Sequence, residues 1–427
     1  MQKKTYNFKF YSLPSIILCL MLLDSLLVYY GRIFFGQILP VNMTIPILLT
    51  ILVIFKGIKY VLPPEKYTIY LLLCSTGFIM GAIVIQEYGF PRVLEVPSAA
   101  SALLAGYVYS RWNDNPKLTA NIFLLVGLLY GFVCTAALLK VSPHYFPMII
   151  KLWAFNGTLI ERPEITTDQN FQIFYFLPAV LAVVSATKIK DYILWGLATI
   201  LGLYVISALQ TRSGLLVLIS AAMLSIISPL FIKKTSKKKI IILFSVISVT
   251  TLLSLPIIIK YAHNIIIRFT ETDYSTGLGR LHGFTFLFEK IYNPLWWIPQ
   301  GNSYYKELTG NIPHSNLTAI YLDGGLISLV FWFLLSLYPL YKLGVFFIKK
   351  KLNQSEAMIF IGSISMLILQ LSLNVPLMDI IWLWSGLTLG TYIRLISRKT
   401  DNEKEIDLEI KTVTTKQETK FDGVTLR

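Results

Sequence analysis

Residues 118–139 read LTANIFLLVGLLYGFVCTAALL, a run without Asp, Glu, Lys, Arg or His. Wound as an α-helix at 1.5 Å per residue, a segment of this length crosses the roughly 30 Å of a bilayer's hydrocarbon. Its apolar residues lie on every side of that helix rather than alternating, so it reads neither as a surface helix nor as a strand. Comparable runs extend outward from it in both directions. They predict helices near 12–30, 41–58, 67–87, 94–110, 171–187, 191–209, 213–232, 239–259, 315–341, 357–375 and 379–397 as well as 118–139. The expected fold class is therefore all-α: a polytopic membrane helical bundle of about 12 transmembrane helices, with a long, partly helical periplasmic loop before the tenth.

Composition agrees. Of 427 residues, 55% are hydrophobic and only 14% charged, too few to clothe a water-soluble protein of this size. Mean hydropathy is +0.63. A membrane β-barrel would show short alternating segments instead, and no internal period marks a repeat protein. The first run, Leu13 to Tyr30, follows Lys3, Lys4 and Lys9 in the manner of a signal peptide. It is too long and lacks a small-residue cleavage site, so it reads as an uncleaved first helix. Cys19, Cys74 and Cys134 all fall inside apolar runs, where neither a disulfide nor a zinc site is expected.

Charge sets the expected topology. Lys56, Lys59, Lys66, Arg111, Lys117, Lys188, Lys190, Lys233, Lys234, Lys237–Lys239, Lys342 and Lys349–Lys351 fall on the side of both termini. By the positive-inside rule that side is cytoplasmic. The net charge of +15 is then an orientation signal and an attraction to anionic headgroups, not a sign of nucleic-acid binding. The domain division is a membrane domain over 1–399 and a Lys-, Glu- and Thr-rich tail over 400–427, read as a disordered cytoplasmic segment. Two long loops, 140–170 and 260–314, fall on the outer side.

Those loops hold all four histidines: His144, His263, His282 and His314. Apolar helices exclude histidine, so aqueous loops collect it; His144 and His263 read equally as such residues or as functional ones. His314 stands in Pro313-His314-Ser315-Asn316, where a loop-to-helix junction fixes it. Arg212 sits in a tight outer turn, Gln210-Thr211-Arg212-Ser213-Gly214; it reads either as a snorkelling interfacial arginine or as an anion clamp. Gly279-Arg280-Leu281-His282 leads into a segment with apolar residues at 281, 284, 287, 288 and 291, the spacing of a helix lying on or in the outer leaflet. Asn293-Pro294-Leu295-Trp296-Trp297 and Gly301-Asn302 follow, the tryptophans fitting an interfacial belt.

In this order the pieces resemble the bacterial O-antigen polymerase and O-antigen ligase superfamily. The resemblance covers roughly 205–335. It rests on Thr211-Arg212-Ser213-Gly214, then Arg280, Asn293-Pro294 and Gly301, then His314, and finally Asp323-Gly324-Gly325. Two positions depart: Ser315 stands where the family has Asn, with Asn316 following, and Asn302-Ser303 replaces its x-Gly. The resemblance implies a metal-independent glycosyltransferase of lipopolysaccharide or polysaccharide biosynthesis. Its donor would be an undecaprenyl-pyrophosphate-linked glycan at the outer face of the inner membrane. The acceptor would be a second glycan for a polymerase, or lipid A-core for a ligase. A polymerase would also imply a chain-length regulator as partner. The 260–314 loop is shorter than in many such ligases, which favours the polymerase.

The residues suit that chemistry. The leaving pyrophosphate needs cations aimed at its oxygens. The outer turn Gly31–Pro40 carries no acid, and no outward Asp-x-Asp pair offers a metal site. Arginine's planar fork fits phosphate instead, so Arg212 and Arg280, with Arg268 in support, are the expected pyrophosphate ligands. His314 is the expected general base for the acceptor hydroxyl, with His282 and Asn316 as secondary candidates. No cofactor is expected. Asp323, about 13 Å along its helix from His314, reads as a contact between helices. A twelve-helix transporter or lipid flippase is the rival class, but the halves show no symmetry of the kind such folds carry.

Overall fold

In the computed structural model, the residues described are 13–23, 44–85, 89–113, 115–141, 173–208, 212–232, 283–310, 315–371, 377–398 and seven scattered positions between 241 and 252. Helix is the only regular structure among them. In chain order the helices are α1 (Leu13–Leu23), α2 (Thr44–Lys56), α3 (Ile58–Val61), α4 (Glu65–Val84), α5 (Gly89–Trp112) and α6 (Pro116–Val141). Then come α7 (Ile173–Leu181), α8 (Ile189–Ala208), α9 (Arg212–Ile227), α10 (283–290) and α11 (Asn302–Thr309). The series ends with α12 (Asn316–Trp332), α13 (Tyr338–Ile348), α14 (Gln354–Gln370) and α15 (Asp379–Arg398).

Among the described residues, four stretches are long and apolar enough to cross a membrane: Glu65–Val84, Pro116–Leu138, Asn316–Ile348 and Asp379–Arg398. Leu13–Leu23, Ile45–Lys56, Phe176–Ser185, Val217–Leu230 and Gln354–Gln370 are shorter apolar helices. Two of these end early for visible reasons. Pro178 interrupts α7, which tightens into a 3₁₀ turn at Ala182–Ser185, where the Trp195 indole donates to the Val180 carbonyl at 3.0 Å. Pro229 ends α9 in the same way. The helix expected over 315–341 does not stop at Lys342. It runs on to Ile348 through a π-turn at Phe333–Leu337, with the Lys342 ammonium lying over the Tyr338 and Tyr341 rings at 5.3 and 5.4 Å.

Two close crossings hold the bundle. Gly77 and Gly81 are spaced as GxxxG on α4. A Cβ on Gly81 would stand 1.7 Å from the Asp323 carbonyl oxygen, and one on Gly77 would stand 2.5 Å from that of Gly324. Only glycine admits such backbone contact, the association mode of membrane helices that have no hydrophobic effect to draw them together. One turn further along, the Cys74 thiol donates to the Ser328 carbonyl at 3.4 Å and the Ser328 hydroxyl donates to the Cys74 carbonyl at 2.7 Å. Gly386 and Gly390 of α15 repeat the pattern against Leu103 and Tyr107 of α5. All three cysteines are free thiols.

One end of the bundle carries a buried ion pair. Asn353 and Glu356 form a reciprocal capping box at the start of α14. The same Glu356 carboxylate, 1% exposed, accepts from Arg394 at 3.2 Å and Arg398 at 2.8 Å. Arg394 also donates to the Asn113 carbonyl, tying α15 to the end of α5.

Asn316–Ile348 spans 33 residues, about 50 Å at 1.5 Å per residue. That exceeds a hydrocarbon core of roughly 30 Å. Glu65–Val84, with 20 residues, matches the core and runs antiparallel to it. Gly81, near the end of α4, lies level with Asp323. The first turns of α12 lie at the end of the bundle opposite Glu356, beside the last residue of α14.

Candidate functional site

The first turns of α12 organise the remaining described chain. Their core-facing side holds Asn316, Ile320 and Asp323, all buried; Ile320 belongs to the main apolar core. The other side holds Ser315, Thr318, Tyr321 and Leu322. Against it packs a small separate core of Phe286, Leu287, Trp296, Tyr305, Tyr321 and Leu322. Edge-to-face rings join this core, Phe286 with Trp296 at 5.1 Å and with Tyr305 at 4.8 Å. The Lys290 ammonium lies over Trp296 at 5.3 Å. Burial pushes the Tyr305 phenol above its ordinary pKa.

α12 is broken inside this region. Gly325 has φ +69° and ψ −173°, a conformation that only glycine adopts without strain. The break frees main-chain groups, and the segment 297–301 takes them up. The Gln300 and Gly301 amides both donate to the Leu322 carbonyl at 2.9 Å, and the Leu326 amide donates to the Trp297 carbonyl at 2.9 Å. Space is tight: a Cβ on Gly325 would lie 2.5 Å from the Trp297 oxygen.

Each motif in this segment has a local cause. The Asn293 side chain accepts from the Leu295 amide at 3.1 Å, with Pro294 in the first position of the 3₁₀ turn it caps. Gly301 starts α11 at φ +84°, with Ile85 of α4 pressed against it. Gly283 opens α10 beside the start of α12. Its carbonyl accepts from the Thr318 hydroxyl at 3.0 Å, and a Cβ there would lie 3.9 Å from that of Ser315.

The structure thus brings together Gly283, Asn293–Gly301, Ser315-Asn316 and Asp323–Gly325. Gly283 follows Arg280-Leu281-His282 in sequence, and Ser315 follows His314. Arg268, Arg280, His282 and His314 themselves lie outside the described residues, as do His144, His263 and the 400–427 tail. Arg212 is the first residue of α9. Asn316 is fully buried, and its amide donates to the Gln370 side-chain oxygen of α14 at 3.1 Å.

Two hydroxyls of this helix end, with that of Tyr305 beside them, lack a hydrogen-bond partner among the described residues. Ser315 occupies the N-cap of α12, yet its hydroxyl makes no capping bond. It has no hydrogen-bond partner among the described residues, nor does the Tyr321 hydroxyl; both residues are no more than 1% exposed. Buried polar groups left unspent are uncommon in folded proteins. Sequence reading noted Ser315 only as a departure from the family pattern and missed Thr318, Tyr321 and Gln370. Ser315, Thr318 and Tyr321 recur every third residue, a polar stripe that helical spacing could have revealed. No protein-family model matches the chain, and neither do the curated proteins or solved structures with which it was compared.

Proposed function

We propose that the chain is a membrane glycosyltransferase of the O-antigen polymerase type. It would transfer an undecaprenyl-pyrophosphate-linked glycan to an acceptor sugar hydroxyl at the outer face of the bacterial inner membrane. In this reading the bundle crosses the membrane about twelve times, with both termini in the cytoplasm. The observation that carries it is the convergence of sequence pieces up to forty residues apart around the first turns of α12, where Ser315 and Tyr321 hold unspent hydroxyls.

The chemistry follows from residue types. Arg280 and Arg212, supported by Arg268, hold the pyrophosphate as the sugar–phosphate bond breaks; their charge persists at any working pH. His314 takes the proton from the acceptor hydroxyl as that oxygen attacks the anomeric carbon. A neutral imidazole is the form that can accept this proton. His282 is the reserve base. Asn316, held by Gln370, anchors the turn that follows His314.

The broken helix favours a second reading, a transporter, because discontinuous helices line many transport sites. Here, however, the break is filled by 297–301 rather than left open to a substrate.

Deleting the gene separates the outcomes. A polymerase defect leaves single repeats on the core. A ligase defect leaves bare core with long lipid-linked polymer, and a flippase defect traps single repeats on the inner leaflet. At the residue level, Arg280→Ala and His314→Ala each abolish product while the protein still inserts at the wild-type level. Wild-type product from both variants removes the assignment.

A further inference from the structure

A second polar feature lies deeper, between the π-turn of the long helix, α14 and α15. A cavity of about 20 Å³ is lined by Trp332, Ser336, Ser363, Gln370, Trp384, Ser385 and Thr388 among apolar neighbours. The π-turn places Ser336 in it, and such turns recur at functional positions in helices.

The polar inventory does not close on itself. The Ser336 hydroxyl donates to Ser385 at 2.8 Å, and Ser385 donates onward to the Ile381 carbonyl at 3.1 Å. Thr388 donates to the Trp384 carbonyl at 2.7 Å and lies 2.6 Å from the Ser363 hydroxyl. These hydroxyl protons are committed, so the oxygens offer lone pairs. The Trp332 and Trp384 indole N–H groups can only donate. Neither has an acceptor among the described residues, although the two tryptophans are 1% and 2% exposed. An unpaired donor in an apolar interior is costly, because nothing there replaces the hydrogen bond it gave up in water.

We propose that this cavity is a hydration site. It holds a water molecule whose oxygen accepts from the indole N–H groups and whose protons go to the serine and threonine oxygens. The volume exceeds the roughly 10–15 Å³ that one water requires, and the lining supplies more than the two to four polar partners it needs. A wholly apolar occupant such as a lipid chain would leave both donors unmet. Gln370 lines the same cavity and holds Asn316. The water site therefore extends the hydrogen-bonded line from the first turns of α12 into the bundle. None of this depends on the glycosyltransferase reading.

The test uses the full chain in lipid nanodiscs with ¹⁵N-labelled tryptophan. Magnetisation transfer from water to each indole N–H is measured, with Trp332→Phe and Trp384→Phe assigning the signals. Transfer is expected at both buried indoles, with half-exposed Trp297 as the positive control. Ser385→Val and, separately, Ser363→Val fill the cavity and are expected to abolish that transfer while Trp297 keeps its own. Wild-type indoles that show no transfer overturn the proposal. So does transfer that persists unchanged in either filled variant.

Discussion

Gly81 and Gly196 are both helical glycines, yet their surroundings demand opposite outcomes. A Cβ on Gly81 would meet the Asp323 carbonyl at 1.7 Å, whereas one on Gly196 would meet nothing within 4 Å. Gly81→Ala forces α4 from α12 and is expected to cost at least the roughly 1–3 kcal/mol typical of overpacking. Gly196→Ala gains about 0.5–1 kcal/mol of helix propensity. Thermal unfolding in detergent, comparing both variants with wild type, checks the pair. The Glu356 cluster gives a second contrast. Arg394 has a side chain 7% exposed and Arg398 one 42% exposed. Glu356→Gln leaves a buried guanidinium without its counter-charge, an expected loss of about 3–5 kcal/mol. Arg398→Ala removes only the wetter partner and costs no more than about 1 kcal/mol. Equal losses from the two would show that the buried pair carries no special weight.

At the scale of elements, local signals were legible and pairings were not. The uncharged run 118–139 became Pro116–Val141, and the helix expected from spacing after Leu281 forms over 283–290. The end expected before Lys342 was misplaced because a lysine that lies over aromatic rings need not leave its helix. Asp323-Gly324-Gly325 was read as a motif, but its glycines were not recognised as a break. A glycine doublet permits a kink without requiring one. What imposes it is the segment 297–301, and nothing local announces that docking. The Asn316–Gln370 and Glu356–Arg394 bonds were hidden for the same reason, since helical period says which face is polar but not which helix it meets. For the candidate site, the motif order was readable, whereas Ser315 and Tyr321 emerged only once burial was known. Gly325→Ala combines a left-handed φ with a clash and is expected to release 297–301 from the break. Limited trypsin digestion then cuts after Lys290 and Lys306 faster than in wild type. Cleavage at Lys349–Lys351, on the opposite end of the bundle, stays constant as the reference. Unchanged cutting after Lys290 and Lys306 would show that the segment holds without the break.

The whole molecule has two unlike ends. One carries Glu356 with its arginines and the Lys349–Lys351 turn; the other carries the aromatic group of Phe286, Trp296 and Tyr305 around the first turns of α12. In the proposed topology the first faces the cytoplasm, as the positive-inside rule expects. With Cys19 replaced by serine, Lys306→Cys is expected to react with a membrane-impermeant maleimide on intact cells, and Lys350→Cys only after lysis. The reverse pattern would invert the topology and remove the proposed site from the outer face.

The plugged break in α12 constrains how such a machine can move. Pulling 297–301 away would strand the Leu322 oxygen and the Leu326 amide at the edge of an oily medium that offers them nothing in exchange. Peeling the flap off alone is thus the expensive route. Hinging at Gly325 with flap and upper helix travelling as one lever keeps most of those bonds intact, so under the proposed function a bulky sugar chain would enter by tilting the pair together.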